Sequence, residues 1–185
     1  MVINTIAVIG AATLGREIAS AALAAGYRTI LEDVLPDRLA AAQAEIRARF
    51  ERASASQPPA HSLKLLSTAS SVALACREAD LVMDTLPEET EMKIDVFCIL
   101  EKFARPGAIL ATNAAKLSIS EIAAVTTRAE HCVGLHFFDT APKKNLLEIV
   151  RGLGTSDETV ERCREVGRRM GREVVVVRES PVQSP

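Results

Sequence analysis

Short apolar runs rich in β-branched residues alternate with helix-period segments along nearly the whole chain, and nothing else in the sequence constrains the fold as strongly. "TIAVIG" precedes a helical pattern from about Thr13 to Ala25, and Gly26 stands where a left-handed glycine ends a helix. "RTILED" reads as the second strand. Pro36, whose fixed φ suits a first helical turn, opens a helix through "RLAAAQAEIRARFERA". The polar, proline-containing "SASQPPAHS" is a loop. After it come the strands "LKLLS", "DLVMDTL", "AILAT", "HCVGLHFF", "NLLEIV" and "REVVVV". The helices "SSVALACREA", "EETEMKIDVFCILEKFA", "SISEIAAVT" and "SDETVERCREVGRRMG" lie among them. Met92, Phe97, Ile99 and Leu100 are expected to face the core, and Ser118 or Ser120, and Ser156, to cap helices. Strands joined by helices of this length require right-handed crossovers. The fold class is therefore α/β, a doubly wound, mostly parallel sheet with helices on both faces. An antiparallel strand among the later ones stays open.

A chain of 185 residues suits one domain with a sizeable core. Aromatic residues are only 3%, so that core is built from Ala, Val, Leu and Ile. A net charge of -2 gives no footprint for nucleic acid or an anionic membrane surface. Cys76, Cys98, Cys132 and Cys163 lie far apart with no C-x-x-C pair. No metal centre or dithiol site is expected, and a cytoplasmic setting fits. The opening "MVINTIAVIG" lacks the basic flank of a secretory signal, and its apolar run is too short to span a bilayer.

The first strand runs into Gly10-Ala11-Ala12-Thr13-Leu14-Gly15 and then into a helix. In a dinucleotide-binding turn the first glycine makes the bend, the second admits the pyrophosphate, and the third lets helix and strand pack closely. Gly10 and Gly15 supply the first and third roles; Ala12 puts a methyl group at the second, which weakens binding without abolishing it. Glu32 and Asp33 follow about 20 residues on, where a carboxylate accepts from ribose hydroxyls and repels a 2′-phosphate, favouring NAD over NADP. A plain strand-turn-helix without ligand is the other reading of these residues.

The stretch "GLHFFDTAPKKNLLEIV", taken with that opening, resembles the NAD-binding domain of 3-hydroxyacyl-CoA dehydrogenases, and the likeness runs from about Ile6 to Pro181. The family's opening G-A-G-x-M-G corresponds to residues 10–15, and its ribose-binding Asp to Asp33. Its D-L-V-x-E-A-x-x-E-N motif matches "DLVMDTLPEE", which places the cofactor-contacting Glu and Lys at Glu88 and Lys93. Its S-N-T-S-S-L-x-I matches "TNAAKLSI", retaining Asn113. Its G-L-H-F-F-N-P and trailing Glu match His136 and Glu148. The resemblance implies a Rossmann-type fold, NAD as cofactor and a 3-hydroxyacyl-CoA as substrate. His136 would take the alcohol proton, with Glu148 fixing its tautomer, a task suited to a group titrating near neutrality. A core histidine bonded to a backbone carbonyl is the plainer alternative.

The chain also departs from that pattern. The family's substrate-side serine falls on Ala115, with Ser118 and Ser120 the nearest hydroxyls, and N-P becomes Asp139-Thr140. The CoA-contacting Ser and Lys have no clear counterparts in "ARFERASAS", and Lys143 and Lys144 read as a solvated turn. Residues 1–181 are expected to form the NAD-binding domain and 182–185 a tail. The family's helical second domain, which completes the substrate cleft and carries its homodimer interface, is not among these residues. Two other readings follow: a non-catalytic NAD-binding module, or a dehydrogenase of a small non-CoA hydroxy acid.

Overall fold

In the computed structural model, described over residues 2–53, 62–114, 117–138 and 145–179, eight strands form one sheet in the order β3-β2-β1-β4-β5-β6-β7-β8. The strands are β1 (Thr5–Ile9), β2 (Arg28–Glu32), β3 (Leu66–Ala69), β4 (Leu81–Asp84), β5 (Ile109–Thr112), β6 (Cys132–Phe138), β7 (Leu146–Arg151) and β8 (Glu173–Arg178). The helices are α1 (Thr13–Ala24), α2 (Pro36–Ala53), α3 (Val72–Cys76), α4 (Thr90–Phe103), α5 (Ile119–Ala123) and α6 (Asp157–Arg169). Strands β1 to β6 are mutually parallel; β7 is antiparallel to β6 and parallel to β8. The open question about the later strands thus resolves to one reversal, between β6 and β7.

Alternation along each strand divides the core in two. On one face Ile6, Val8, Leu31 and Met83 meet Ile18, Leu23, Ile46, Val160 and Val166 from α1, α2 and α6. On the other, Ala7, Ile9, Ile30 and Val82 meet Cys76, Val96, Phe97, Leu100 and Ile122 from α3, α4 and α5. Burial pushes the thiols of Cys132 and Cys163 up to about 11 and about 12, so both pack as neutral groups.

Two sequence expectations shift. Residues 63–65 of the expected strand "LKLLS" belong instead to a 3-10 turn (Ser62–Leu65), and pairing with β2 starts at Leu66. Leu65 and the adjacent Leu66 both pack against the first core cluster, which a strand pointing successive residues to opposite faces would not allow. Ile99 is 36% exposed rather than buried. The inward stripe of α4 is Lys93, Val96, Phe97 and Leu100, spaced i, i+3, i+4, i+7, and Ile99 lies off it. The stretch 54–61, including most of "SASQPPAHS" and His61, lies outside the described residues. No helix among the described residues is long and apolar enough to cross a membrane, and no group of three or more candidate metal-ligating side chains occurs among them.

Candidate functional site

The carboxyl ends of the parallel strands gather the site. Gly10 follows β1 at φ +97°, a conformation that disfavours a side chain. Its N–H donates to the Glu32 carbonyl at 2.9 Å, and the Thr85 hydroxyl, just past β4, lies 2.8 Å from the Ile9 carbonyl oxygen. A Cβ placed on Gly15 would lie 1.8 Å from the Gly10 carbonyl oxygen, so only glycine lets α1 sit this close to the strand. Helix α1 begins at Ala12 with no capping side chain and no acid in its first turn. Its positive end therefore carries no counter-charge of its own, and Ala12 and Thr13 are exposed beside it. These features suit a diphosphate held by residues 10–15. Gly15→Ala must push α1 off the strand: a loss of about 1–3 kcal/mol in unfolding free energy is expected, together with weaker NADH binding, checked by urea titration and nucleotide fluorescence.

Asp33 ties this loop to β2. Its Oδ2 accepts from the Ala11 N–H at 3.0 Å, its Oδ1 from the Leu35 N–H at 2.9 Å, and Arg38 stands 3.5 Å away. Spare lone pairs remain on both oxygens for ribose hydroxyls. Glu32, beside it, is 2% exposed. Burial, with the neighbouring Asp33 charge adding to it, pushes the Glu32 carboxyl up to about 7. The folded state thus prefers the neutral acid, a preference that adds stability below the ordinary carboxylate range and is lost as pH rises through about 7. Unfolding free energy should accordingly fall by about 3 kcal/mol between about pH 4.5 and pH 8, and Glu32→Val should flatten that slope, as followed by denaturant midpoints.

Between the β4 and β5 ends lies a charged cluster in which Lys93, read from the sequence as a cofactor contact, is paired with an acid that the sequence reading did not single out. Asp84 and Lys93 are both fully buried and 2.8 Å apart. Asp84 also accepts from the Thr112 hydroxyl at 2.8 Å and the Leu86 N–H at 2.9 Å. The Lys93 ammonium donates besides to the carbonyls of Leu86, at 2.8 Å, and Asn113, at 3.4 Å. Its three N–H groups are thereby engaged, and it clamps together the two loops that follow β4 and β5. Glu88 is exposed in the first of those loops. The Asn113 side-chain oxygen accepts from the Phe137 N–H at 3.4 Å, fixing β6 next to His136. An acid closing an otherwise apolar strand, with a lysine facing it from the next helix, was the available signal.

His136 and Glu148 are register partners across the antiparallel β6–β7 pair. Nδ1 lies 3.7 Å from a Glu148 oxygen, an ion-pair distance somewhat longer than a hydrogen bond. Both side chains are about three-quarters buried, and the Phe138 ring stands 4.0 Å from the imidazole. With Nδ1 towards the carboxylate, Nε2 is left for another partner. In the sheet order, β6 is three strands from β1, about 14 Å at ordinary strand spacing. Ser118 caps α5 through the Glu121 N–H, while Ser120 bonds Glu179, which also accepts from the Ser118 hydroxyl and the Leu153 N–H. Those bonds hold the Glu179 carboxyl below its usual range against the opposing effect of burial. Ala115, and Asp139, Thr140, Lys143 and Lys144, lie outside the described residues.

A glycine turn leading into α1, an acid after β2 and a His–Glu pair on the same sheet edge are the features on which the family resemblance rests. Residues 5–180 match the family model for the 3-hydroxyacyl-CoA dehydrogenase, NAD binding domain. The chain belongs to this family. It is 33% identical over 184 residues to the 3-hydroxybutyryl-CoA dehydrogenase of Bradyrhizobium diazoefficiens, covering 97% of this chain and 63% of that protein. It is 35% identical to the 3-hydroxyadipyl-CoA dehydrogenase of Escherichia coli over 185 residues, 97% of this chain and 38% of that one. The crystal structure of 3-hydroxybutyryl-CoA dehydrogenase from Escherichia coli superposes with a TM-score of 0.89 at 34% identity, over 98% of this chain and 39% of that one. The chain thus spans less than two thirds of the length of these relatives. Within the family it is the NAD-binding, Rossmann-type unit, as the resemblance implied.

Proposed function

We propose that this domain oxidises a 3-hydroxyacyl-CoA to the 3-ketoacyl-CoA, and catalyses the reverse reduction, with His136 as the proton-transferring group. The observation that carries this is the facing of His136 and Glu148 on the sheet edge that also holds the phosphate turn. Bound NAD supplies the hydride acceptor in oxidation and NADH the donor in reduction. Residues 10–15 would hold its diphosphate and Asp33 its adenosine ribose, with the Lys93-clamped loops and Asn113 on the nicotinamide side.

The rest is the work of the chain's own side chains. His136 takes the hydroxyl proton at Nε2 as the alcohol becomes a ketone and returns it in reduction. Glu148 keeps the Nδ1 proton in place and stabilises the imidazolium. Phe138 screens one side of the ring from water. Ala115 offers no donor to the substrate oxygen where the family has serine, and one missing donor of that kind lowers the rate by about 10²–10³-fold. Names of the relatives support the CoA thioester as substrate class, and a cytoplasmic setting fits four unpaired cysteines. The test is acetoacetyl-CoA-dependent oxidation of NADH. Slow turnover that depends on His136 supports the proposal; NADH binding with no such turnover turns it into a non-catalytic nucleotide module.

A further inference from the structure

Among the described residues, one acid at the carboxyl edge of the sheet has an unmet hydrogen bond. Glu32 closes β2, and its Oε1 is buried without a partner among those residues. Ile9 and Ala69, its register partners on either side, flank it on the same face. Buried polar atoms are nearly always paired, and one left over calls for a partner that the described residues do not supply. Its position suggests which. The Glu32 carbonyl accepts from Gly10 of the phosphate turn, and the next residue is Asp33, the candidate ribose acceptor. Apolar side chains stand at the rim: Val34 is 69% exposed, and half-buried Leu86 lies over Gly10, 3.1 Å from where a Cβ would be. A base carried by a ribose on Asp33 would come within reach of this rim, which Glu32 closes at the end of β2.

We propose that Glu32 reads the base of the dinucleotide: Oε1 accepts from the exocyclic amino group of adenine, and the other oxygen, as the neutral acid, donates to the adjacent ring nitrogen. This rests on the dinucleotide reading above. Leu86, a flexible side chain over the turn, moves aside to admit the base. The charges near Glu32 are few. Asp33 is tied to Arg38 and two backbone N–H groups, and Asp84 to Lys93. β1 and β3 carry no titratable side chain, and α3 carries only the Cys76 thiol, which burial raises. The neutral carboxyl that the pairing needs is the form that burial favours up to about pH 7.

The test compares NADH with its analogue bearing unsubstituted purine in place of adenine, by fluorescence titration of the full chain, Glu32→Val and Glu32→Gln. At about pH 6 the unaltered protein should bind NADH about tenfold or more tightly than the purine analogue, as expected for one buried acceptor left unpaired. Glu32→Val should bring the two affinities within about twofold of each other. Glu32→Gln presents the same donor–acceptor pair without a titrating proton. It should keep the preference at about pH 8, where NADH binding to the unaltered protein weakens. Equal preference in the unaltered protein and Glu32→Val overturns the role of Glu32 alone. Failure of the unaltered protein to bind either nucleotide overturns the dinucleotide reading itself.

Discussion

Replacing His136 by Gln lowers the turnover of acetoacetyl-CoA reduction by about 10²–10⁴-fold, the usual contribution of a positioned acid or base, and leaves NADH affinity almost unchanged. Gln has a similar size and can still form a hydrogen bond, but it cannot accept and return a proton near neutral pH. The effect belongs to the chemical step, so it appears in kcat and kcat/KM alike. Glu148→Gln removes the charge 3.7 Å from Nδ1 and should produce a smaller loss of the same kind, because the ring keeps its place in the strand while its tautomer is no longer held. If His136→Gln turned over as fast as the unaltered protein, the proton would travel by another route. A change confined to KM would make His136 a binding residue.

The largest stability effect is expected at Lys93. Lys93→Met removes the ammonium that neutralises a carboxylate with no exposed surface and leaves Asp84 charged in the core. Breaking a buried pair on one side costs about 3–5 kcal/mol, whereas replacing both partners by hydrocarbon is close to neutral. Lys93→Met should therefore lower the urea midpoint sharply, and adding Asp84→Leu should recover most of the loss. The double variant should still bind NADH less well, since the carbonyls of Leu86 and Asn113 lose the group that draws their loops together. A single-variant loss below about 1 kcal/mol, the size of an exposed pair, would mean that water reaches Asp84.

The strands and long helices were legible because their periods are unambiguous: β1 is buried at all five positions, and Gly26 and Gly171 end their helices at positive φ as expected. The reversal at β7 was not legible, since the direction in which a strand pairs is set by its neighbour rather than by its own short apolar run. Ile99 misled because an apolar residue next to the stripe of a helix looks like part of it. The His136–Glu148 pairing was drawn from a family motif, and the register that brings the two residues face to face is a property of the hairpin. The Asp84–Lys93 cluster escaped for a different reason. An acid at the end of a strand reads as a solvated turn unless its partner is known to be buried, and burial is set by packing of α4 against the sheet. Glu32 was read only as one of two acids near a ribose; its lack of a partner is visible only in three dimensions.

The most direct measurement is a crystal structure of this chain grown with NAD. Electron density is expected for the diphosphate against the N–H groups at the start of α1, for the ribose on Asp33, and for the nicotinamide end on the β4–β6 side facing Nε2 of His136. Density for the nucleotide elsewhere, or an imidazole turned from the crevice into the core, would contradict this arrangement.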